Sequence, residues 1–250
     1  MLRRLPAVFA ALGLGLAGLS AHAGETTIAV AANFAEPIKA IVADFSRATG
    51  HTVKISTGAT GKFYAQIVNG APFDALLAAD DETPARLVAE KHGVPDSVFS
   101  YAVGRLVLWS ADAGKVDARA SALKSGNFRF LSVANPKTAP YGRAALETLA
   151  AMKVEVPESK RVVGESIAQA YQFAATGNAD LGFVAQSQVW KAGKLRSGSA
   201  WGVPESMHQP IRQAAVLLVR GRDNAAARAL LDWLKSPSAR KIIESYGYGS

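Results

Sequence analysis

"YAVGRLVLWS", residues 101–110, is a long strand-like run that breaks an otherwise regular rhythm. Upstream of it, from Thr26, short β-type runs alternate with helical patterns. "TTIAVA" (26–31) reads as a buried strand, and Pro37 to Thr49 as a helix closed by Gly50. "TVKIST" (52–57) and "ALLAAD" (75–80) read as further strands, with a helix from about Lys62 to Asn69 between them. The next helix is expected to take Thr83 as N-cap and Pro84 as its first residue. Downstream the alternation restarts with "FLSVAN" (130–135), a helix over about 142–152, "RVVGE" (161–165), a helix over 167–176 and "LGFVA" (181–185). A second long strand, "IRQAAVLLVR" (211–220), follows, and two helices close the chain. Strand–helix alternation implies parallel sheets covered by helices. Two such α/β units joined by two long strands predict two lobes with a hinge and a ligand cleft between them. We divide them as lobe 1 over 24–104 plus 216–250 and lobe 2 over 105–215. A single doubly wound domain is the plain alternative.

The N-terminal 23 residues stand outside that pattern. Arg3 and Arg4 precede an uncharged run from Leu5 to Leu19, and Ala21-His22-Ala23 follows. This is the order of a cleavable signal peptide, residues 1–23. A membrane anchor needs about 20 apolar residues, and this run is shorter. The chain has no cysteine, so neither disulfides nor a lipid-modified N-terminus is expected. Export with retention by an outer membrane points to the periplasm. The chain carries 28 basic and 20 acidic residues; without Arg3 and Arg4 the balance is 26 to 20. This excess favours a small anion no more than it favours simple solubility. The basic residues are scattered, which argues against nucleic acid.

Ligands of open α/β sheets lie beyond the carboxyl ends of strands, near helix N-termini. Four junctions there are polar or glycine-rich: "AANFAEP" (31–37), "TGATGK" (57–62), "ANPKTAPYG" (134–142) and "GESIAQA" (164–170). Asn33 and Ser166 are each also readable as plain N-caps, and Thr60 as a turn residue. Together, two junctions per lobe would present backbone N–H groups and neutral hydroxyls to one shared anion. "TGATGK" is not a nucleotide loop, because Ser56 stands where its first glycine belongs and Phe63 follows Lys62. There is no G-x-S-x-G elbow and no H-E-x-x-H motif. Asp80-Asp81-Glu82 reads as a strand end and helix cap rather than a metal cluster. No catalytic constellation is found, so an enzyme is not expected.

At the same junctions the chain resembles the periplasmic molybdate-binding proteins of ABC importers, the ModA family. "GATGKFYAQIVNGAPFDALLAAD" (58–80) carries most of the likeness. "AANF" (31–34), "NADLGFVAQSQ" (178–188) and "WLKSPSARKIIESYGY" (233–248) fall in the same order. The resemblance implies the type II periplasmic-binding-protein fold, molybdate or tungstate as ligand, no cofactor, a membrane permease as partner and a monomer. It implies oxyanion contacts at Ala32, Asn33, Thr60, Tyr141 and Ile167, with Gly61 and Ser166 in support and no direct metal-cation ligand. Two positions depart from the family: Ala32 stands where many relatives have a hydroxyl, and Ala185 where some have a tyrosine. Tyr141 is the expected substitute for that hydroxyl. A proton-free tetrahedral dianion needs donors alone, and these side chains and N–H groups can donate. Hydrogen phosphate would also need an acceptor. Sulfate, with the same charge, would be excluded by size alone and is the alternative ligand.

Overall fold

The computed structural model describes residues 23–249; the proposed signal peptide lies outside them except for Ala23. The chain begins with β1 (Glu25–Ala31), a 3-10 turn at Ala32–Phe34, α1 (Ala35–Thr49), β2 (Thr52–Gly58) and α2 (Thr60–Val68). It continues through β3 (Ala75–Leu77), α3 (Glu82–Ala89), β4 (Phe99–Gly104) and β5 (Leu106–Ser110). The second unit holds α4 (Ser121–Ser125), β6 (Leu131–Ala134), α5 (Pro140–Ala151), β7 (Arg161–Gly164), α6 (Ile167–Ala175) and β8 (Leu181–Ala185). Then come α7 (Gln186–Val189), β9 (Trp190–Lys191), β10 (Lys194–Leu195) and β11 (Ser199–Gly202). β12 (Ile211–Leu217), α8 (Ala225–Leu234) and α9 (Pro237–Ser245) finish the chain.

Two five-stranded mixed sheets result, ordered β2-β1-β3-β12-β4 and β11-β5-β8-β6-β7. In the first, β1 runs parallel to β2 and β3, while β12 is antiparallel to β3 and β4. In the second, β6 is parallel to β7 and β8, and β5 is antiparallel to β8 and β11. The unbroken apolar strands are explained by cover on both faces. Ile28 and Val30 of β1 enter the core under α1 and α8, while Ala29 faces Phe63, Ile67 and Leu87 on the other side. Helix α1 buries Pro37, Ile38, Ile41 and Phe45, a single helical stripe. It stops at Gly50, whose φ of 76° suits glycine and whose N–H donates to Ser46 O.

The run 101–110 is not one strand. It breaks at Arg105, because β4 belongs to the first sheet and β5 to the second. This is the first crossing between lobes. The second lies between Gly202 and Ile211, since all of β12 pairs within the first sheet. The expected boundary at 215–216 falls inside that strand and is corrected to before Ile211. β12 also stops at Leu217, where the chain turns through a 3-10 segment at Val219–Gly221. Helix α3 starts at Glu82, not beyond Thr83; Asp80 Oδ1 accepts from the Thr83 N–H at 2.9 Å. One apolar cluster runs from the second lobe into the first: Leu108, Val133, Phe183, Tyr141 and Ile167 join Ala31, Ala32, Ala79 and Ile211. The lobes are therefore closed on one another. No helix of the described residues is long and apolar enough to cross a membrane.

Candidate functional site

Four helix starts meet the interface between the lobes, and they are built unusually. The first N–H groups of any helix lack intrahelical acceptors, and Ser, Thr, Asp or Asn at the N-cap ordinarily supplies one. Here the 3-10 turn at Ala32, α2 and α5 have Ala31, Ala59 and Ala139 as N-caps, with no side-chain cap bond. At α6, Ser166 does cap, but it accepts from Gln169 N and leaves Ile167 and Ala168 uncapped. A bare helix start in solvent would be hydrated. These are buried: Ala32, Asn33, Thr60, Tyr141 and Ile167 are each 6% exposed or less. Buried N–H groups at helix starts are a place for an anion.

The side chains agree with that chemistry. Thr60 Oγ1 accepts from the Ala79 N–H at 2.9 Å, which leaves its own proton to donate. Tyr141 sits in the first turn of α5, with its hydroxyl oxygen accepting from Gln213 Nε2 at 3.2 Å. Burial, and then the neighbouring Tyr248 and Tyr101, push its pKa well above the usual tyrosine value, so it stays a neutral donor. Burial likewise raises Tyr101 and Tyr248. Ala32 offers only backbone and a methyl group to the shared core.

Asn33 is not the cap of α1, whose N-cap is Phe34. Its Nδ2 instead donates to Gln213 Oε1 at 2.8 Å and to the Tyr248 hydroxyl at 3.0 Å. Its carbonyl accepts from Ser187 Oγ and from the Tyr248 hydroxyl, both at 2.8 Å. Ser187 comes from the second lobe, so this buried network also ties the lobes together. Gln213, Tyr101, Ser187 and Tyr248 were not singled out from sequence. For Gln213 a signal existed: one amide in the apolar strand "IRQAAVLLV" must find buried partners.

The supporting residues divide. Gly61 does not hold a spare donor, because its N–H is given to Thr138 O across the cleft at 2.9 Å. A Cβ at Gly61 would press on the Thr138 backbone, so glycine permits this close approach. Lys62 pairs with Glu165 of the other lobe at 2.5 Å and belongs to the rim. Arg143 does the same from α5, reaching Glu82 at 3.2 Å and Asp80 at 3.8 Å. Burial raises the Asp80 carboxyl above its ordinary pKa. Asp80, Glu82 and Arg143 line two rim cavities of about 210 and 260 Å³. Neither includes the five buried residues.

Comparison with known proteins agrees with this reading of the fold. Residues 26–249 match the family of bacterial extracellular solute-binding proteins. The chain is 57% identical to the molybdate-binding protein ModA of Azotobacter vinelandii, over 96% of this chain and 95% of that one. It is 52% identical to ModA of Rhodobacter capsulatus, over 98% and 96%. The solved structure of the Azotobacter vinelandii periplasmic molybdate-binding protein superposes with a TM-score of 0.87, at 37% identity, covering 90% of this chain and 99% of that one. The chain belongs to the bacterial extracellular solute-binding proteins and, within them, to the ModA family.

Proposed function

We propose that this chain is the periplasmic receptor of an ABC importer and that it captures molybdate or tungstate between its two lobes. The observation that carries the reading is the set of four buried helix starts with no caps on their leading N–H groups. Asn33, Thr60, Tyr141 and Ile167 supply N–H donors there, Thr60 and Tyr141 add hydroxyls, and Ala32 completes the wall. Each charge-assisted hydrogen bond contributes about 1.5–3 kcal/mol, so a handful offsets the cost of association and closure. The nearby cations Lys62 and Arg143 are engaged with carboxylates at the rim, so the anion is held by dipoles rather than by counter-charges. Such a site can release its ligand when the lobes part.

The metal enters as the centre of an oxyanion, with no direct protein ligand and no cofactor. We read the chain as a monomeric carrier without catalysis, exported by its leader and cleaved after Ala23, which hands its ligand to a membrane permease. The test is elemental analysis of purified protein equilibrated with molybdate, tungstate and sulfate in competition. About one molybdenum or tungsten per chain is expected, with sulfur from sulfate absent. Protein that retains neither metal, or that exchanges it freely for sulfate, would sink the reading.

A further inference from the structure

Gln213 is fully buried in β12, beside a bulge where the β12–β4 register shifts. It joins two residues, one from each lobe, that the reading above assigns to the oxyanion. Its Oε1 accepts from Asn33 Nδ2 at 2.8 Å, and also from the Tyr101 hydroxyl at 3.0 Å. Its Nε2 donates to the Tyr141 oxygen at 3.2 Å. Gly104, opposite, makes room: a Cβ there would overlap both the Tyr141 hydroxyl and the Gln213 amide.

A chain of amides and hydroxyls has a direction. As drawn, Asn33 gives to Gln213 and Gln213 gives to Tyr141, so the Tyr141 proton remains for the anion. The other end of the chain is then an acceptor: Asn33 Oδ1 is buried with no partner among the described residues. The opposite direction turns both amides. Tyr141 then gives its proton to Gln213, and the Asn33 NH₂ replaces Oδ1. Turning Asn33 alone would set two oxygens 2.8 Å apart at the Asn33–Gln213 contact, and turning Gln213 alone would set two NH₂ groups there.

We propose that Gln213 is a positioning residue for oxyanion binding: it locks Asn33 and Tyr141 into one directed chain, so that only one of these side chains donates to the anion at a time. The inference rests on the oxyanion reading above and goes beyond it by making the two donors mutually exclusive.

The test is molybdate titration calorimetry on Asn33→Ala, Tyr141→Phe, Gln213→Met and Gln213→Glu, with the first two also combined with Gln213→Met. With native Gln213, one of Asn33→Ala and Tyr141→Phe should weaken binding tenfold or more, and the other less than about threefold. Gln213→Met, which cuts the chain, should make both costly. Gln213→Glu presents acceptors to both ends, so at pH 8 it should bind more weakly than Gln213→Met. A protonated Glu has one donor and one acceptor, as Gln does, so binding should recover as the pH falls to about 5.5. The titratable neighbours of position 213 are Tyr101, Tyr141 and Tyr248, which burial keeps neutral there, and Asp80. A packing role for Gln213 would not produce that recovery. Equal and multiplicative losses in Asn33→Ala and Tyr141→Phe, or wild-type affinity in Gln213→Glu at a pH where infrared difference spectroscopy shows its carboxylate ionised, would overturn the proposal. If the position-213 variants do not fold, the asymmetry measured with native Gln213 decides alone. Failure of the unaltered protein to bind molybdate would instead remove the functional reading.

Discussion

Ala139→Asp should make the unliganded protein slightly more stable and nearly abolish oxyanion binding. Ala139 is the N-cap of α5, extended at φ −124° and ψ 118°. An aspartate there can accept from the N–H of Tyr141, the second residue of the helix, which is one of the donors assigned to the anion. Replacing alanine by a capping residue is worth about 1 kcal/mol. In a chain of this size that raises Tm by about 2–4 °C. The effect on binding is larger and opposite. A carboxylate about 4 Å from a unit charge repels it by about 4 kcal/mol at an effective dielectric of 20, or about three decades in Kd. Ala139→Ser separates the terms, because a neutral hydroxyl takes the same N–H and leaves only the lost hydrogen bond, about tenfold. Thermal unfolding with and without molybdate, with calorimetry for affinity, reads both effects. Wild-type affinity in Ala139→Asp would mean that the start of α5 takes no part in the site.

Thr60→Ala removes the acceptor of the buried Ala79 N–H along with a hydroxyl proposed as a donor to the ligand. Urea unfolding should show a loss of about 1–3 kcal/mol, with weaker molybdate binding, and Thr60→Ser should restore both. Gly104→Ala forces a methyl group against Tyr141 and Gln213; overpacking of this kind costs about 1–3 kcal/mol, visible as a lower urea midpoint. Burial raises Tyr101, Tyr141 and Tyr248 in the folded state, so the fold holds their protons more tightly than the unfolded chain does. Their contribution is complete below the ordinary tyrosine pKa of about 10 and declines as pH rises beyond it. Thermal scans across that range should show the decline begin near pH 10, and Tyr141→Phe should make it shallower.

Much of this was legible in the sequence because the signals were local. Apolar runs such as "TTIAVA" and "LGFVA" name strands covered on both faces, and Gly50 ends α1 for a stereochemical reason that any glycine advertises. The four junctions were visible as polar breaks after strands. What escaped depends on contacts distant in sequence. Nothing within 101–110 tells which sheet each half joins; that is settled by the pairing of β4 with β12 and of β5 with β8. Asn33 looks like a cap because caps are read from neighbours, yet its partners Gln213 and Tyr248 lie 180 and 215 residues away. Lys62 looks like a phosphate lysine until Glu165 faces it across the cleft. Even the alanine caps were on the page, but an alanine before a helix is informative only once the helix start is known to be buried.

The proposed anion site also bears on when the lobes would close. Beside the shared apolar cluster, the polar contacts across the cleft are individually modest. Lys62–Glu165 and Arg143–Glu82 are largely exposed, and such pairs contribute about 0–1 kcal/mol each. The bonds from Gly61 N to Thr138 O and from Ser187 Oγ to Asn33 O add about 1 kcal/mol apiece. Closure without an anion would bury N–H groups at four helix starts, and each unpaired donor costs about 1–3 kcal/mol. An anion that pairs those N–H groups would remove these penalties and so shift the balance toward the closed form. The contacts across the cleft then set how long the closed form lasts. Glu165→Gln, which breaks the Lys62 pair, should speed molybdate release up to about fivefold, since 1 kcal/mol corresponds to that factor. It should leave the capture rate nearly unchanged if, as the proposal has it, that contact forms after the anion is between the lobes. Stopped-flow fluorescence measures both rates, and an effect confined to capture would show that the rim charges steer the anion instead of holding the lobes shut.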